Sequence, residues 1–304
     1  MNRLLLSLVL LLLPVPLAAQ EIGTLTRVEG NPRLIRGATV LRAAEGVRVD
    51  SGDIIETSNP GFVQLEFSGG TIVVLGDSSR LFLFSYPSGL TASGSDKRTN
   101  PAEMVLLSGW LKGETNEHAG PYRFDSPLLA GATQGGTVVL HATPDAAEIF
   151  VESGAASISE VRPDGSLGNS AEDAKGGQFF SRRKGTGVAA DSRLSSTFLE
   201  AMPRAFRDTL PSRLARFAGK STEPKTDHEV SYAEVQPWLN IGRSWRRGFV
   251  ERFQPRLEDA AFRKALEDHI ADHPEWDPIL HPEDRAPKPS ATPNSDSSHP
   301  GNSK

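Results

Sequence analysis

Apolar residues along this chain fall into two rhythms. Over residues 21–188 they come in short runs broken by glycine turns, the spacing of consecutive strands. Four such runs follow one another between Val47 and Phe84. They are Ile54-Ile55 after the corner Gly52-Asp53, residues 62–67 (FVQLEF), residues 72–75 after the pair Gly69-Gly70, and residues 81–84 after Gly76-Asp77. Further strands are predicted at 24–28, 39–42, 104–107, 110–112 beyond Gly109, 127–132, 136–141 and 177–181. A hairpin through Ser153-Gly154 is predicted to join 148–151 to 156–159. The polar stretches 86–101, 143–146 and 162–175 read as surface loops.

Near Asp191 the period changes to about 3.6, the period of a helix. Phe198, Met202, Phe206 and Leu210 fall four apart and lead on to Leu214 and Phe217, with Pro203 and Pro211 interrupting. Two or three short helices sharing one buried side are expected, because proline inside a helix costs about 3 kcal/mol. Residues 220–228 read as a linker. Beyond it Trp238, Trp245, Phe249, Phe253 and Leu257, then Phe262, Leu266 and Ile270, supply an apolar set for more helix. The pattern as a whole predicts a mainly β domain at 21–188, a small α-helical domain at 189–283 and a disordered tail at 284–304.

The first twenty residues stand apart. Arg3 precedes an apolar run from Leu4 to Leu13, Pro14 breaks it, and Leu17-Ala18-Ala19-Gln20 offers small residues for cleavage. That layout predicts a secretory signal peptide at 1–20, too short to span a bilayer, and a periplasmic or secreted protein with no membrane span after cleavage. The chain has no cysteine, which removes thiol catalysis, and its formal charge of −5 gives no general attraction to nucleic acid.

Little in the sequence assembles chemistry. His269 and His273 lie four apart, with Glu275, Asp277 and His281 behind them, a spacing that puts two imidazoles on one helical face. Ile270 stands where a metalloprotease has its general base, and Pro274 ends the helix, so both histidines read as helix-end residues dispensable for folding. The run GATQGGT at 131–137 lacks the lysine of a phosphate loop and reads as a tight turn. The arginines Arg243, Arg246, Arg247, Arg252, Arg256 and Arg263 alternate with acids and read as a solvated face. No catalytic residue, metal or cofactor is expected.

One resemblance extends over most of residues 25–182. Gly52-Asp53-Ile54-Ile55-Glu56-Thr57, the strand pair around Gly70, Leu107-Ser108-Gly109, Gly136-Thr137 followed by a segment ending at Gly154, and Gly177-Gln178 occur in the order seen in FecR-like domains. Gly135 stands where that family usually has arginine. The resemblance implies a curled sandwich or short β-solenoid, with Gly52, Asp53, Gly70, Gly109, Gly136, Thr137 and Gly154 as its structural signature. The best-known members pass a receptor signal to a sigma factor through a transmembrane helix, which the signal peptide replaces here. The implied role is an exported, non-catalytic sensing or interaction module with an envelope protein as partner. The alternative is a wall- or polysaccharide-associated binder or hydrolase, with Trp110 or Tyr122 exposed to stack on a glycan.

Overall fold

The computed structural model describes residues 21–85 and 101–282. The signal peptide expected at 1–20, most of the loop expected at 86–101 and the disordered tail expected at 284–304 lie outside the described residues. The strands are β1 (Glu21–Glu29), β2 (Arg33–Arg36), β3 (Thr39–Arg42), β4 (Arg48–Asp50), β5 (Ile54–Glu56), β6 (Phe62–Phe67), β7 (Ile72–Leu75) and β8 (Arg80–Ser85). They continue with β9 (Ala102–Thr115), β10 (Tyr122–Asp125), β11 (Leu129–Ala142), β12 (Ala146–Val161), β13 (Leu167–Lys175), β14 (Phe179–Arg183) and β15 (Ala189–Asp191). Then come α1 (Ser196–Ala201), β16 (Lys225–Glu229), α2 (Tyr232–Leu239), α3 (Arg243–Arg246), α4 (Phe249–Phe253), α5 (Ala260–Asp268) and α6 (Asp277–Leu280).

The fold is mainly β, an open sheet of many short strands followed by a small helical region. Three strands are longer than their apolar runs suggest. Glycine at 109, 136 and 154 breaks the hydrophobic pattern without breaking the strand, and each long strand changes neighbours at that point. In β9, residues 102–105 pair with β10 while residues 111–114 pair with β7, and Gly109 lies between. The hairpin expected at Ser153-Gly154 does not form. β12 runs on through it against β11, with Gly136 and Gly154 opposed at a bulge. Residues 131–137 are therefore a bulged strand, not a turn.

Curling closes one face of the sheet around a core that includes Leu25, Leu34, Leu65, Phe67, Leu111, Phe124, Leu140, Ile149 and Phe180. The outer face is covered as well, by the C-terminal part of the chain. Phe198, Met202, Phe206 and Leu210 pack on Phe62, Ile72, Val74, Trp110, Val139 and Phe179. Elsewhere Trp238, Trp245, Phe249, Phe253 and Trp276 pack with Ile35, Val40, Ile54, Phe82 and Val105. This explains β6 and β7, in which every residue is buried: one set of side chains meets the inner core and the other meets the C-terminal cover. The helices thus share a core with the sheet.

Two polar stretches differ from their sequence reading. Residues 220–228 are no free linker, since β16 pairs antiparallel with β3 and the Thr222 amide donates to the Gly46 carbonyl at 3.0 Å. Residues 162–175 include β13, paired with β12. Both strands are held by main-chain hydrogen bonds and expose most of their side chains, so no apolar alternation marks them. The four-residue stripe at 198–217 folds as α1 followed by 3₁₀ turns at 204–206 and 214–217, because Pro203 and Pro211 stop the helix while the apolar side chains keep one face to the sheet.

Candidate interaction surface

The signature residues shape corners. Asp53 is buried and accepts both Nε (3.0 Å) and Nη2 (2.6 Å) of Arg36, and also the Asp50 amide at 2.9 Å. That fixes the turn in which Gly52 holds φ +92°. Arg252 of α4 then binds the corner from outside, donating to the carbonyls of Gly52 (2.6 Å), Ile35 (2.8 Å) and Gly37 (2.7 Å). Burial lowers the Arg252 guanidinium to about 10, with Asp53 pulling the other way. Arg252 is therefore a clamp between helix and sheet, and it corrects the solvated-face reading for that residue. Arg246, half-buried, likewise turns inward to the Leu239 carbonyl at 2.6 Å.

Gly109 has φ +93°, and a Cβ there would lie 2.4 Å from Ser79 Oγ. Gly70 also holds positive φ, in the turn before β7. Gly136 and Gly154 face each other, with Thr137 next to them paired to Ser153. The structure brings these last three together and leaves the other signature positions at separate corners.

His269 and His273 do not converge on a common point. They flank Tyr232 of α2. His273 is fully buried with its Nε2 3.0 Å from the tyrosine hydroxyl, while the His269 ring lies tilted at 5.3 Å from the tyrosine ring and bonds the Ala265 carbonyl through Nδ1. No group of three or more metal-ligating side chains occurs among the described residues. His273 staples α2 to the C-terminal turns, a buried contact beyond the helix-end role expected of it. Burial lowers its pKa, against the opposing pull of Glu275.

Several polar residues invisible as chemistry in the sequence do most of the fastening. Glu66 is buried under the segment 206–217 and accepts from Ser212 Oγ (2.6 Å), Thr26 Oγ1 (2.6 Å), Gln64 Nε2 (2.9 Å) and the amides of Arg213 (2.7 Å) and Leu214 (3.2 Å). Burial pushes its carboxyl up, but these bonds, that from Ser212 first, outweigh it and hold the group below the ordinary range. Lys112 is likewise buried and donates to the Phe206 (2.8 Å) and Asp208 (3.1 Å) carbonyls, with Glu152 at 3.0 Å. The signal that marks them is a charge inside a two-sided apolar run, FVQLEF and GWLKGE.

On the sheet itself Asp125 is completely buried, and burial pushes it up to about 7 despite both oxygens receiving Arg123 Nε at 2.8–2.9 Å. Glu56 ties sheet to helix, accepting Arg33 Nε at 2.8 Å and Trp238 Nε1 at 2.9 Å. The Arg33 Nη1 passes on to Glu234 at 2.6 Å, which the Ser231 amide and hydroxyl, His228 and Arg33 hold down at about 2 against the cost of burial.

Trp110 and Tyr122, expected on the surface, are both in the core; Trp110 stacks on His141 at 4.1 Å and is covered by Phe198. Leu199 is the exposed large apolar side chain among the described residues. What stays open is an edge. β13 is paired on one side only, by β12, and its residues 169–173 are all exposed, Glu172 and Asp173 among them. No helix of the described residues is long and apolar enough to cross a membrane.

No protein-family model and no curated protein matches the chain. Two crystal structures, at 1.65 and 2.50 Å, of a "putative anti-sigma factor" from Parabacteroides distasonis ATCC 8503 are similar at 10% identity, with TM-scores of 0.36 and 0.37. The matches cover 46% and 49% of this chain, and 59% and 64% of those chains, less than two thirds of their length. A likeness of that size fixes neither the family nor the role.

Proposed function

We propose that this chain is an exported, non-catalytic interaction module of FecR-like type, acting through protein–protein contacts in the cell envelope and not as a direct regulator of a sigma factor. The observation that carries this reading is the open edge of β13. The C-terminal segment covers the outer face of the sheet in two places, whereas β13 keeps one side unpaired, the longest such strand among the described residues. An extended partner segment adds to such an edge through main-chain hydrogen bonds, and side chains set the choice of partner. Glu172 and Asp173 repel acidic strands and deter self-pairing, so the partner strand carries lysine or arginine. The sugar-binding alternative has lost its stacking aromatics to the core.

A photo-crosslinking residue placed at Ser170 in cells tests this. A discrete adduct with one envelope protein is expected, and it disappears when Glu172 and Asp173 are both changed to lysine while the melting temperature holds. An adduct that survives the charge reversal, or that forms equally from a crosslinker at Arg207 on the opposite cover, overturns the assignment.

A further inference from the structure

A second feature is independent of that edge. Three turns and one strand meet at one end of the sheet: Gly30-Asn31 before β2, Thr57 to Gly61 after β5, Gly76 to Ser79 between β7 and β8, and β9 at Ser108. They enclose a cleft of about 340 Å³ lined by Asn31, Arg33, Glu56, Thr57, Ser58, Ser78, Arg80 and Ser108. That volume is in the range of small-ligand sites.

We propose that this cleft binds one carboxylate of a small polar ligand, with Arg80 as its cation and the hydroxyls of Ser78 and Ser108 as neighbours, while the Ser58 hydroxyl donates to the Pro60 carbonyl at 2.8 Å and belongs to the frame. Three observations lead there. The first is charge: two guanidiniums, Arg33 and Arg80, face the carboxylate of Glu56 in the lining, and Glu234 behind it takes up Arg33, which leaves Arg80 as the loosely held cation. The second is the unequal use of those guanidiniums. Arg33 is taken up by Glu56 at 2.7 Å and Glu234 at 2.6 Å, whereas Arg80 reaches Glu56 only at 3.5 Å. Glu56 is already held by Arg33 and by Trp238 Nε1, so it has little left to give Arg80. A guanidinium fork in that position matches a carboxylate in a planar two-bond arrangement.

The third observation is a rigid frame. The Asn31 amide donates to Ser58 Oγ (3.1 Å), the Ser78 amide to the Ser58 carbonyl (3.0 Å), the Gly61 amide to Asp77 Oδ1 (2.6 Å), and Thr57 Oγ1 to the Gly76 carbonyl (2.6 Å). Ser78 sits at φ +51°, a left-handed conformation that this network holds in place. A frame ordered before binding loses little entropy when a ligand arrives. Through Glu56 the floor of the cleft is also the anchor of Trp238, so an occupant would sit one residue away from the helical cover.

Carboxylates of this kind belong to sugar acids and to peptide C-termini. The full chain, labelled with ¹⁵N, is titrated with D-glucuronate and with triglycine, and in parallel with D-glucose and triglycinamide, which lack the carboxylate. Saturable shifts confined to the amides of residues 31, 58, 78, 80 and 108 are expected from one of the acids, and whichever binds tighter names the source. Arg80→Gln is expected to weaken binding about tenfold or more, and Ser108→Ala about threefold, as for a charged and a neutral hydrogen bond. The proposal fails if neither acid saturates by about 50 mM, well past millimolar affinity. It also fails if the neutral analogues bind as well, or if folded Arg80→Gln binds like the parent chain.

Discussion

The two C-terminal covers of the sheet solve one problem by opposite means. Residues 196–217 lie on the sheet as a strap of short turns, with a few apolar side chains and a row of buried polar anchors, Gln64, Glu66 and Lys112, taking up its main-chain groups. Residues 230–280 form a cap of short helices whose hold is chiefly aromatic, with Trp238, Phe249, Phe253 and Trp276 in a shared core. A segment broken by Pro203 and Pro211 leaves amides and carbonyls that no helix satisfies, so the sheet must supply partners. A segment that closes helices satisfies its own and is free to attach by apolar area. The difference shows what buried charge does in each: in the strap it takes up irregular backbone, and at the cap a few groups such as Arg252 and Glu56 add to an aromatic core.

The largest expected effect is on the cap. Trp238→Ala removes a fully buried indole and its bond to Glu56, at a cost of about 3–5 kcal/mol. A urea titration followed by tryptophan fluorescence and far-UV circular dichroism reads this as one early transition of the whole molecule. A loss below about 1 kcal/mol would mean that the cap is a passenger.

Lys112→Met breaks the strap instead. It leaves the Phe206 and Asp208 carbonyls without a donor and Glu152 without its partner, a loss of about 1–3 kcal/mol. Here the expected signature is local: faster hydrogen exchange and proteolysis within residues 203–217, with the amides of α2 to α5 still protected. Equal loosening of both covers would erase the distinction drawn above.

Acidification separates the two by pH. The folded pKa of His273 is lowered from 6.5, so the unfolded state binds its proton first, and cap stability present above about pH 6.5 is lost as pH falls below it. Glu275, Asp272, Arg246 and His269 face this imidazole and set the extent of the shift. Glu66 is lowered from 4.5, so the strap keeps its stability down to that region and loses it only below. Asp125 acts in the other direction on the sheet. Its folded value near 7 against an ordinary 3.8 makes the sheet lose stability as pH rises between them. Hydrogen exchange by segment should show cap amides opening before strap amides on the way down from pH 7, and His273→Gln should flatten the upper limb. The reverse order would contradict both assignments.

The smallest effects concern the corners on which both covers rest. Gly109→Ala meets Ser79 as well as a positive φ, at about 1–3 kcal/mol. Gly52→Ala meets no neighbour within 4 Å and carries the conformational term alone, about 1 kcal/mol. Thermal melts that fail to rank the two in this order would remove the steric half of the explanation.

Much of this was legible in the chain. The short apolar runs, the glycine corners and the change of period near Asp191 gave the mainly β body and the helical region. What stayed hidden shares a physical cause. β13 and β16 are held by main-chain bonds, which leave no mark on side-chain pattern, and Gly136 and Gly154 look like a hairpin although they are a bulge inside two continuous strands. Arg252 reads as surface charge because sequence cannot show which carbonyls lie within reach, and for the same reason the partners of Glu66 and Lys112 stay hidden. The cleft around Arg80 is assembled from three separated turns and a strand, and no local motif announces it. The histidines were visible as a pair, but only the fold shows Tyr232 standing between them.

The pairing of β16 with β3 has a consequence for the order of events in folding. It joins Thr39 to Glu229 and Arg42 to Lys225, loops of more than 180 residues that close late and at considerable entropic cost. A chain emerging from its N-terminus completes β1 to β8 long before the strap and cap exist. During that interval Ile54, Val74 and Phe82 have no cover, and the nascent sheet is sticky. Shortening the chain to residue 195 would leave such an intermediate with nothing to finish it.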